Sequence, residues 1–173
     1  MDLGFNITGT RRPETFRSVT GVIEALEPMG NRGSESCTLL AQLQTSQEGP
    51  VGLLITPDTY VVDYEPLLVG MTVTFWYRTD APAPLIYPPR YYAAVAAAER
   101  EGRMVDVSYY DGNLVNENRT LGLNLDTNGQ VRLVNNQYYQ GNPGNHNLVV
   151  SYSFSTRSIP AQTTPDRVVV LCD

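Results

Sequence analysis

The sequence predicts an all-β protein built from two tandem OB-like small β-barrels that are related by an internal repeat. Two observations support this fold. Residues 73–95 reappear in altered form as residues 149–171 near the other end of the chain. In addition, the first half orders three strands, a short helical turn and two further strands, which is the order of a five-stranded OB barrel.

The repeat is carried by the order of its features. Each copy begins with a β-branched and aromatic strand, residues 73–77 or 149–152, and ends in an apolar run, residues 92–95 or 168–171. Between them lie two prolines five residues apart, Pro84 and Pro89 in one copy and Pro160 and Pro165 in the other. Without gaps the copies share only three identities, so two unrelated hairpins with proline loops remain the alternative.

Composition excludes several classes of function. A hydrophobic content of 42% with 17% charged residues is that of a folded protein. The net charge of -6 makes nucleic acid an improbable partner, because phosphate contacts need clustered cationic side chains. All 12 basic residues are arginine, which excludes lysine nucleophiles and Schiff-base chemistry.

In the first half, residues 1–15 predict a flexible arm, and strands are predicted over residues 16–26, 37–44, 51–55 and 73–77. Thr56-Pro57 is typical of a helix start, so a single helical turn is expected over residues 56–62. The alanine-rich segment after Arg90 favours helix by propensity, yet the repeat predicts a strand over residues 90–96.

The second half follows the same plan, with strands predicted over residues 104–110, 121–125, 130–134, 148–154 and 167–172. Asp126-Thr127-Asn128-Gly129 predicts a tight hairpin between the second and third of these strands. The predicted domains are residues 16–100 and 101–173, packed against each other through the proline corners.

The proline segments resemble a known family. Residues 83–91, which contain Pro-Leu-Ile-Tyr-Pro-Pro, and residues 155–165, Ser-Thr-Arg-Ser-Ile-Pro-Ala-Gln-Thr-Thr-Pro, are similar to motifs of an uncharacterised family of Gram-positive bacterial β-rich domains. The resemblance covers most of residues 20–172 and implies no established activity. It implies an association with the cell surface for some members, whereas the N-terminus has no export signal and predicts a cytoplasmic protein.

Aromatic and basic residues near the proline corners are the candidate ligand-binding residues: Trp76, Tyr87, Arg90, Tyr91 and Arg157. Tyrosine and tryptophan rings stack on sugars or bases, and the guanidinium fork binds carboxylates or phosphates. The alternative for the rings is packing in the core or between the halves. For Arg90, Arg157 and Arg167 the alternative is an internal ion pair with carboxylates such as Asp80 or Asp166.

No set of residues predicts catalysis or a cofactor. His146, the only histidine, has no nucleophile motif near it and is expected in an exposed loop. Asp106, Asp111 and Asp126 offer carboxylates of the kind glycosidases use, but acids in such pairs are common in any β protein. Cys37 and Cys172 are expected to be buried free thiols, with a disulfide linking the two halves as the alternative. Neither completes a metal site.

The sequence therefore predicts a non-enzymatic binding or interaction module for a protein or a carbohydrate. A single-stranded nucleic-acid-binding OB protein and an enzyme with an unrecognised site are the alternatives. An arginine-rich aromatic groove would favour nucleic acid, an aromatic surface with amide side chains would favour sugars, and a large apolar patch would favour a protein partner.

Overall fold

A computed structural model describes residues 14–30, 36–126 and 131–172. Strands form three sheets of seven, four and two strands in these residues, which contain no α-helix. The predicted all-β class is confirmed. The N-terminal half, described from residue 14 to 98, supplies the seven-stranded sheet, and the C-terminal half, described from residue 104 to 172, supplies the other two.

The described residues of the N-terminal half form seven strands and one 3-10 turn. The strands are β1 (Phe16–Met29), β2 (Thr38–Thr45), β3 (Gly49–Ile55), β4 (Tyr60–Val61), β5 (Thr72–Arg78), β6 (Arg90–Tyr92) and β7 (Val95–Ala98). They lie in the order β4-β7-β5-β1-β2-β3-β6. β1, β2 and β3 form an antiparallel meander, while β6 pairs with β3 and β4 pairs with β7 in parallel.

β1 is the longest strand, and it holds the sheet together because it pairs with two partners. Its first part, Phe16 to Val22, pairs with β5, and its second part, from Val22 on, pairs with β2. A register shift between Ile23 and Ala25 bends the strand where it changes partner. Gly21 lies next to Val22, where β1 changes partner, and an added Cβ on Gly21 would stand 2.5 Å from the carbonyl oxygen of Gln44 in β2.

The alanine-rich segment is extended, as the repeat predicts, but it is divided into β6 and β7. Consecutive amides at the break donate in different directions, Ala93 N to Leu54 O at 2.9 Å and Ala94 N to Trp76 O at 2.8 Å. Beyond the break, the side chains of β7 are all buried. Small side chains are used here because this short strand is enclosed on both faces, so packing overrides helix propensity.

The C-terminal half contains six strands: β8 (Met104–Tyr110), β9 (Leu121–Leu123), β10 (Val131–Leu133), β11 (His146–Tyr152), β12 (Ala161–Thr163) and β13 (Arg167–Leu171). The four-stranded sheet has the order β10-β13-β11-β8, and β9 pairs with β12 in parallel. Isolated bridges join Tyr110 to Asn116 and Val115 to Gly122, which links the end of β8 to β9.

The predicted hairpin between the second and third strands of this half is wrong in its pairing. β9 pairs with β12 and β10 pairs with β13, both in parallel. The turn predicted over residues 126–129 lies largely outside the described residues. Two apolar strands separated by a tight-turn sequence usually pair with each other. Here each of them pairs instead with a strand from later in the chain.

Three clusters of buried side chains form the core. One lies inside the N-terminal half and includes Ile23, Leu53 and Phe75, and another lies inside the C-terminal half and includes Tyr110 and Leu148. The third spans both halves and contains Phe16, Tyr60, Val62, Trp76, Val95, Ala97, Val107, Val149 and Val169. We call this third cluster the junction core.

The halves therefore pack through the junction core, and the prediction that they pack through the proline corners is wrong. Leu85 and Tyr87 in the first corner and Ile159 in the second are exposed. The strand faces at the junction offer a continuous apolar surface, whereas the corners project beyond the sheets. Ion pairs also join the two halves, since the carboxylate of Asp63 lies 2.6 Å from the guanidinium of Arg103 and 3.7 Å from that of Arg167 in β13.

Two local predictions need correction. Thr56 caps a turn, because its Oγ1 accepts from Asp58 N at 3.1 Å, and the 3-10 turn follows later at Val62–Tyr64. Cys37 and Cys172 are both free and exposed rather than buried, since each lies beside a strand and not within one. The predicted arm falls on residues 1–13, outside the described part of the chain, and on Glu14 and Thr15.

Candidate functional site

The first proline corner, residues 79–89, joins β5 to β6 and projects from the sheet. Its apolar side chains face solvent: Leu85 is fully exposed, and Tyr87 is 79% exposed. The corner reaches back toward the start of β3, because the Tyr87 hydroxyl lies 4.0 Å from where a Cβ on Gly49 would stand. A tyrosine held in the open by a proline-rich loop is suited to contact with a ligand.

A pocket of about 140 Å³ lies where this corner meets the outer face of β2 and β3. Leu40 and Val51 contribute apolar surface, and Pro88 contributes the edge of the corner. The polar groups on its wall are Gln42, Glu24 and Arg90. We call this the corner pocket. Tyr87 precedes the pocket residue Pro88 in the sequence.

Arg90 is held in the corner pocket by its backbone and its stem. β6 places it opposite Gly52 of β3, and the Arg90 Cγ lies 3.0 Å from where a Cβ on Gly52 would stand. Glycine at 52 thus leaves the space that the arginine stem occupies. Within the described residues, no carboxylate, carbonyl or hydroxyl group pairs with the Arg90 guanidinium.

Of the five predicted ligand-binding residues, Arg90 lines the corner pocket, and Tyr87 is the neighbour in sequence of the pocket residue Pro88. Tyr91, the next residue, is half-buried and stacks on Tyr77 with ring centroids 3.9 Å apart. Trp76 is only 8% exposed and belongs to the junction core. For Tyr91 and Trp76, packing is the role the structure shows.

Arg157 lies exposed on the second proline corner, residues 155–165, and the internal ion pair considered for it does not form: no acidic side chain of the described residues pairs with it. The polar side chains of that corner bond to one another instead, Thr156 with Ser158 at 2.7 Å and Ser158 to the carbonyl of Pro160 at 2.9 Å. Asp80 pairs with Arg78, and Arg167 pairs with Asp63.

A larger cleft of about 530 Å³ lies between the halves, beside the junction core. It is acidic, with Glu14, Glu48, Asp106 and Glu117 on its walls. One of these acids makes contacts within the protein: the Glu117 carboxylate accepts from Thr15 N at 2.5 Å and from Thr15 Oγ1 at 3.2 Å. These contacts join the segment before β1 to the C-terminal half, which gives Glu117 a structural role.

Asp106 is half-buried, whereas the other acids on the walls of this cleft are exposed. Burial raises the pKa of its carboxyl group, against the lowering effect of hydrogen bonds from the Tyr110 hydroxyl at 2.5 Å and Asn116 Nδ2 at 3.3 Å. Asp111 belongs to a different set of contacts, with Asn113 N, Val115 N and Arg119. The glycosidase-like set of Asp106, Asp111 and Asp126 therefore draws no support from these contacts.

Asp106→Asn is expected to raise the melting temperature at pH 7. Because the pKa of Asp106 is higher in the folded than in the unfolded chain, its favourable contribution is complete below the unfolded pKa and is lost as pH rises through the folded one. An asparagine oxygen still accepts from Tyr110 without the cost of a buried charge. Thermal denaturation from pH 3.5 to 7.5 should show the gap to wild type closing on acidification; a constant gap would contradict a buried ionised carboxylate.

His146 is not the exposed loop residue that was expected. It begins β11 and is half-buried, with Nδ1 2.8 Å from the carbonyl of Gly144 and Nε2 3.4 Å from the Tyr139 hydroxyl. Among the residues described, no His, Cys, Asp and Glu side chains gather as metal ligands would. Nor does any described helical segment have the length and apolar character of a membrane span.

Sequence reasoning missed Glu24, Gln42 and Gly52 of the corner pocket. Glu24 and Gln42 lie on the polar, outward side of alternating strands, where a sequence offers many equivalent residues. The signal available was Gly52 within the apolar run of β3, because an isolated glycine in a strand often marks a close approach by another group.

Comparison with protein-family models, with curated proteins and with solved structures finds no match for this chain. The likeness of the proline motifs to a Gram-positive β-rich family thus stays a prediction, and the function has to be argued from the site itself.

Proposed function

We propose that this protein is a non-enzymatic binding module for carbohydrates, made of two OB-like units, with the corner pocket as its ligand-binding site. The observation that carries the proposal is a small pocket lined by three hydrogen-bonding side chains, Glu24, Gln42 and Arg90, with the exposed Tyr87 next to its edge residue Pro88. Aromatic faces stack on sugar rings, while carboxamide, carboxylate and guanidinium groups bind hydroxyls.

The strand pairings support two OB-like units. In each half the first strand pairs antiparallel with a later strand (β1 with β5, β8 with β11), which pairs antiparallel with the last (β7, β13). In each half an earlier strand also pairs in parallel with the short strand after the proline corner, β3 with β6 and β9 with β12. Equivalent glycines, Gly52 and Gly122, lie opposite Arg90 and Gln162 in these pairs.

The position of the corner pocket agrees with the way OB barrels bind ligands. In that fold, oligosaccharides and oligonucleotides bind on the face of the second and third strands, between the loops that join strands one to two and four to five. Here β2 and β3 correspond to the second and third strands of the OB barrel. If the two-residue β4 is left out, β5 and β6 correspond to the fourth and fifth, and the first proline corner is the loop that joins them. Acidity of the chain opposes oligonucleotides, which leaves oligosaccharides as the better candidate.

The proposal predicts that Tyr87→Ala weakens glycan binding. Stacking of a nucleobase on an aromatic side chain is worth about 1–3 kcal/mol. A sugar ring is puckered and makes less contact, so we expect about 1 kcal/mol and a fall in affinity of about fivefold. The purified full chain is screened on a glycan array, and the best ligand is then titrated by calorimetry against wild type and variant. Because the ring is largely exposed, the melting temperature of the variant should stay close to that of wild type.

Phe154→Ala is the matched control, since Phe154 is a 74% exposed aromatic residue near the second proline corner that neither lines the corner pocket nor neighbours in sequence a residue that does. It should leave glycan affinity unchanged. Equal losses in both variants would place the ligand elsewhere, and a screen in which no glycan binds the folded protein would refute the proposal.

A protein partner is the second candidate, and it is favoured by the apolar side chains that the corners expose. Leu85 and Ile86 on the first corner and Ile159 on the second face solvent. Exposed apolar surface of this kind often marks a protein interface. Leu85→Ser combined with Ile86→Ser would abolish such an interaction while leaving glycan binding through Tyr87 and Arg90 in place.

A further inference from the structure

Building on the proposed carbohydrate site, on which this step rests, we infer that the ligand carries a carboxylate, as sialic and uronic acids do, and that Arg90 binds this group. The ligand is a largely neutral glycan that presents one acidic sugar to the corner pocket. Neither the aromatic ring nor the amide of the pocket requires an acid, so the inference depends on the chemistry of Arg90.

The surroundings of Arg90 fix its aliphatic stem, but its guanidinium group has no ion-pair partner among the described residues. The stem is enclosed by Gly52 on one side, and the residue is half-buried in the pocket wall. In contrast, Arg78, Arg100, Arg103, Arg119 and Arg167 each have an acidic partner. A guanidinium that is placed by its backbone but lacks a partner in the described residues is prepared to bind an anion, and its fork matches a carboxylate.

The size and charge of the site decide which anion fits. A pocket of about 140 Å³ is smaller than the roughly 300–1,000 Å³ of whole-ligand sites. It therefore holds one ring or one end of a longer molecule. The chain's net charge of -6 repels polyanions, so a single acidic sugar on a neutral glycan suits the site better than a polyuronate or a nucleic acid.

A change at Glu24 should have the opposite effect on acid binding to a change at Arg90. It lines the same pocket and is exposed, and it has no hydrogen-bond or ion-pair partner among the described side chains. Its carboxylate can accept hydrogen bonds from sugar hydroxyls but repels a sugar carboxylate nearby. Removing the charge of Glu24 and removing that of Arg90 should therefore change acid binding in opposite directions, which a purely structural role for either residue would not do.

The experiment compares acidic glycans with their own neutral derivatives on the full chain. The probes are sialyllactose and a xylo-oligosaccharide bearing one glucuronic acid, each beside its methyl ester, titrated by calorimetry. Wild type should bind at least one acid better than its ester. Arg90→Gln should weaken the acid about 10- to 100-fold, the range for one charge-assisted hydrogen bond, and leave the ester unchanged. Glu24→Gln should strengthen the acid by up to about fivefold.

Arg157→Ala is the control for charge, because Arg157 is exposed and lies outside the corner pocket; it should alter neither affinity. Equal binding of acid and ester, or a loss with Arg157→Ala that equals that of Arg90→Gln, would overturn the inference. Neutral glycans bound without any acid preference would leave the proposed function standing alone. If no glycan binds and an acidic peptide does so through Arg90, both fail.

Discussion

Gly21→Ala is expected to destabilise the protein by about 2 kcal/mol, although alanine usually suits a strand better than glycine. The new Cβ would lie 2.5 Å from the carbonyl oxygen of Gln44 and 3.1 Å from its carbonyl carbon. Relief by rotation of a side chain is impossible because the obstructing atoms belong to the backbone of β2. Overpacking costs about 1–3 kcal/mol, and it outweighs the roughly 0.4–1 kcal/mol gained by restricting the unfolded chain.

Gly112→Ala provides the comparison within the same chain. A Cβ on Gly112 would have its nearest neighbour at 3.5 Å, the side chain of Asn145, which is ordinary contact. The same substitution should therefore be neutral or slightly stabilising there. Urea denaturation of both variants measures the difference. A Gly21→Ala protein as stable as wild type would show that β1 and β2 do not cross as closely as described.

The strands were predictable because their residues carry the period of a half-buried sheet. β8 falls where Val105 and Val107 alternate with polar residues, and β1 and β5 fall on β-branched runs. Pairing was less predictable. The hairpin expected after Leu123 fails because parallel partners come from distant parts of the chain, and a local turn signal contains no information about them.

The candidate site was predictable in part. The proline corner was visible as a cluster of prolines and tyrosines, and it supplies Tyr87 and Arg90. The sequence does not show which of the aromatic side chains are buried by neighbouring strands. Trp76 and Tyr91 are aromatic, like the tyrosine of the corner, and lie close to it in the sequence. However, Trp76 lies on the face of β5 that meets the C-terminal half, and Tyr91 stacks on Tyr77. Their roles are decided by neighbours in distant strands.

Trp76→Ala is expected to cost about 3–5 kcal/mol, the usual range for removing a large buried aromatic side chain. Trp76 is 8% exposed and packs in the junction core with side chains from both halves, among them Val107, Val149 and Val169. For a chain of this length such a loss lowers the melting temperature by roughly 6–20 °C. Glycan binding at the corner pocket should persist below the new melting temperature, since Trp76 does not line that pocket.

Because Trp76 is the only tryptophan, its fluorescence reports on the junction directly. Native wild type should emit at short wavelength, as a buried indole does, and the emission should shift to the red in the same transition that abolishes far-ultraviolet circular dichroism. Coincident transitions mean that the halves unfold as one cooperative unit through the junction core. If fluorescence shifts while the strand signal persists, the halves separate before either unfolds, and the junction core contributes less to stability than the two internal cores.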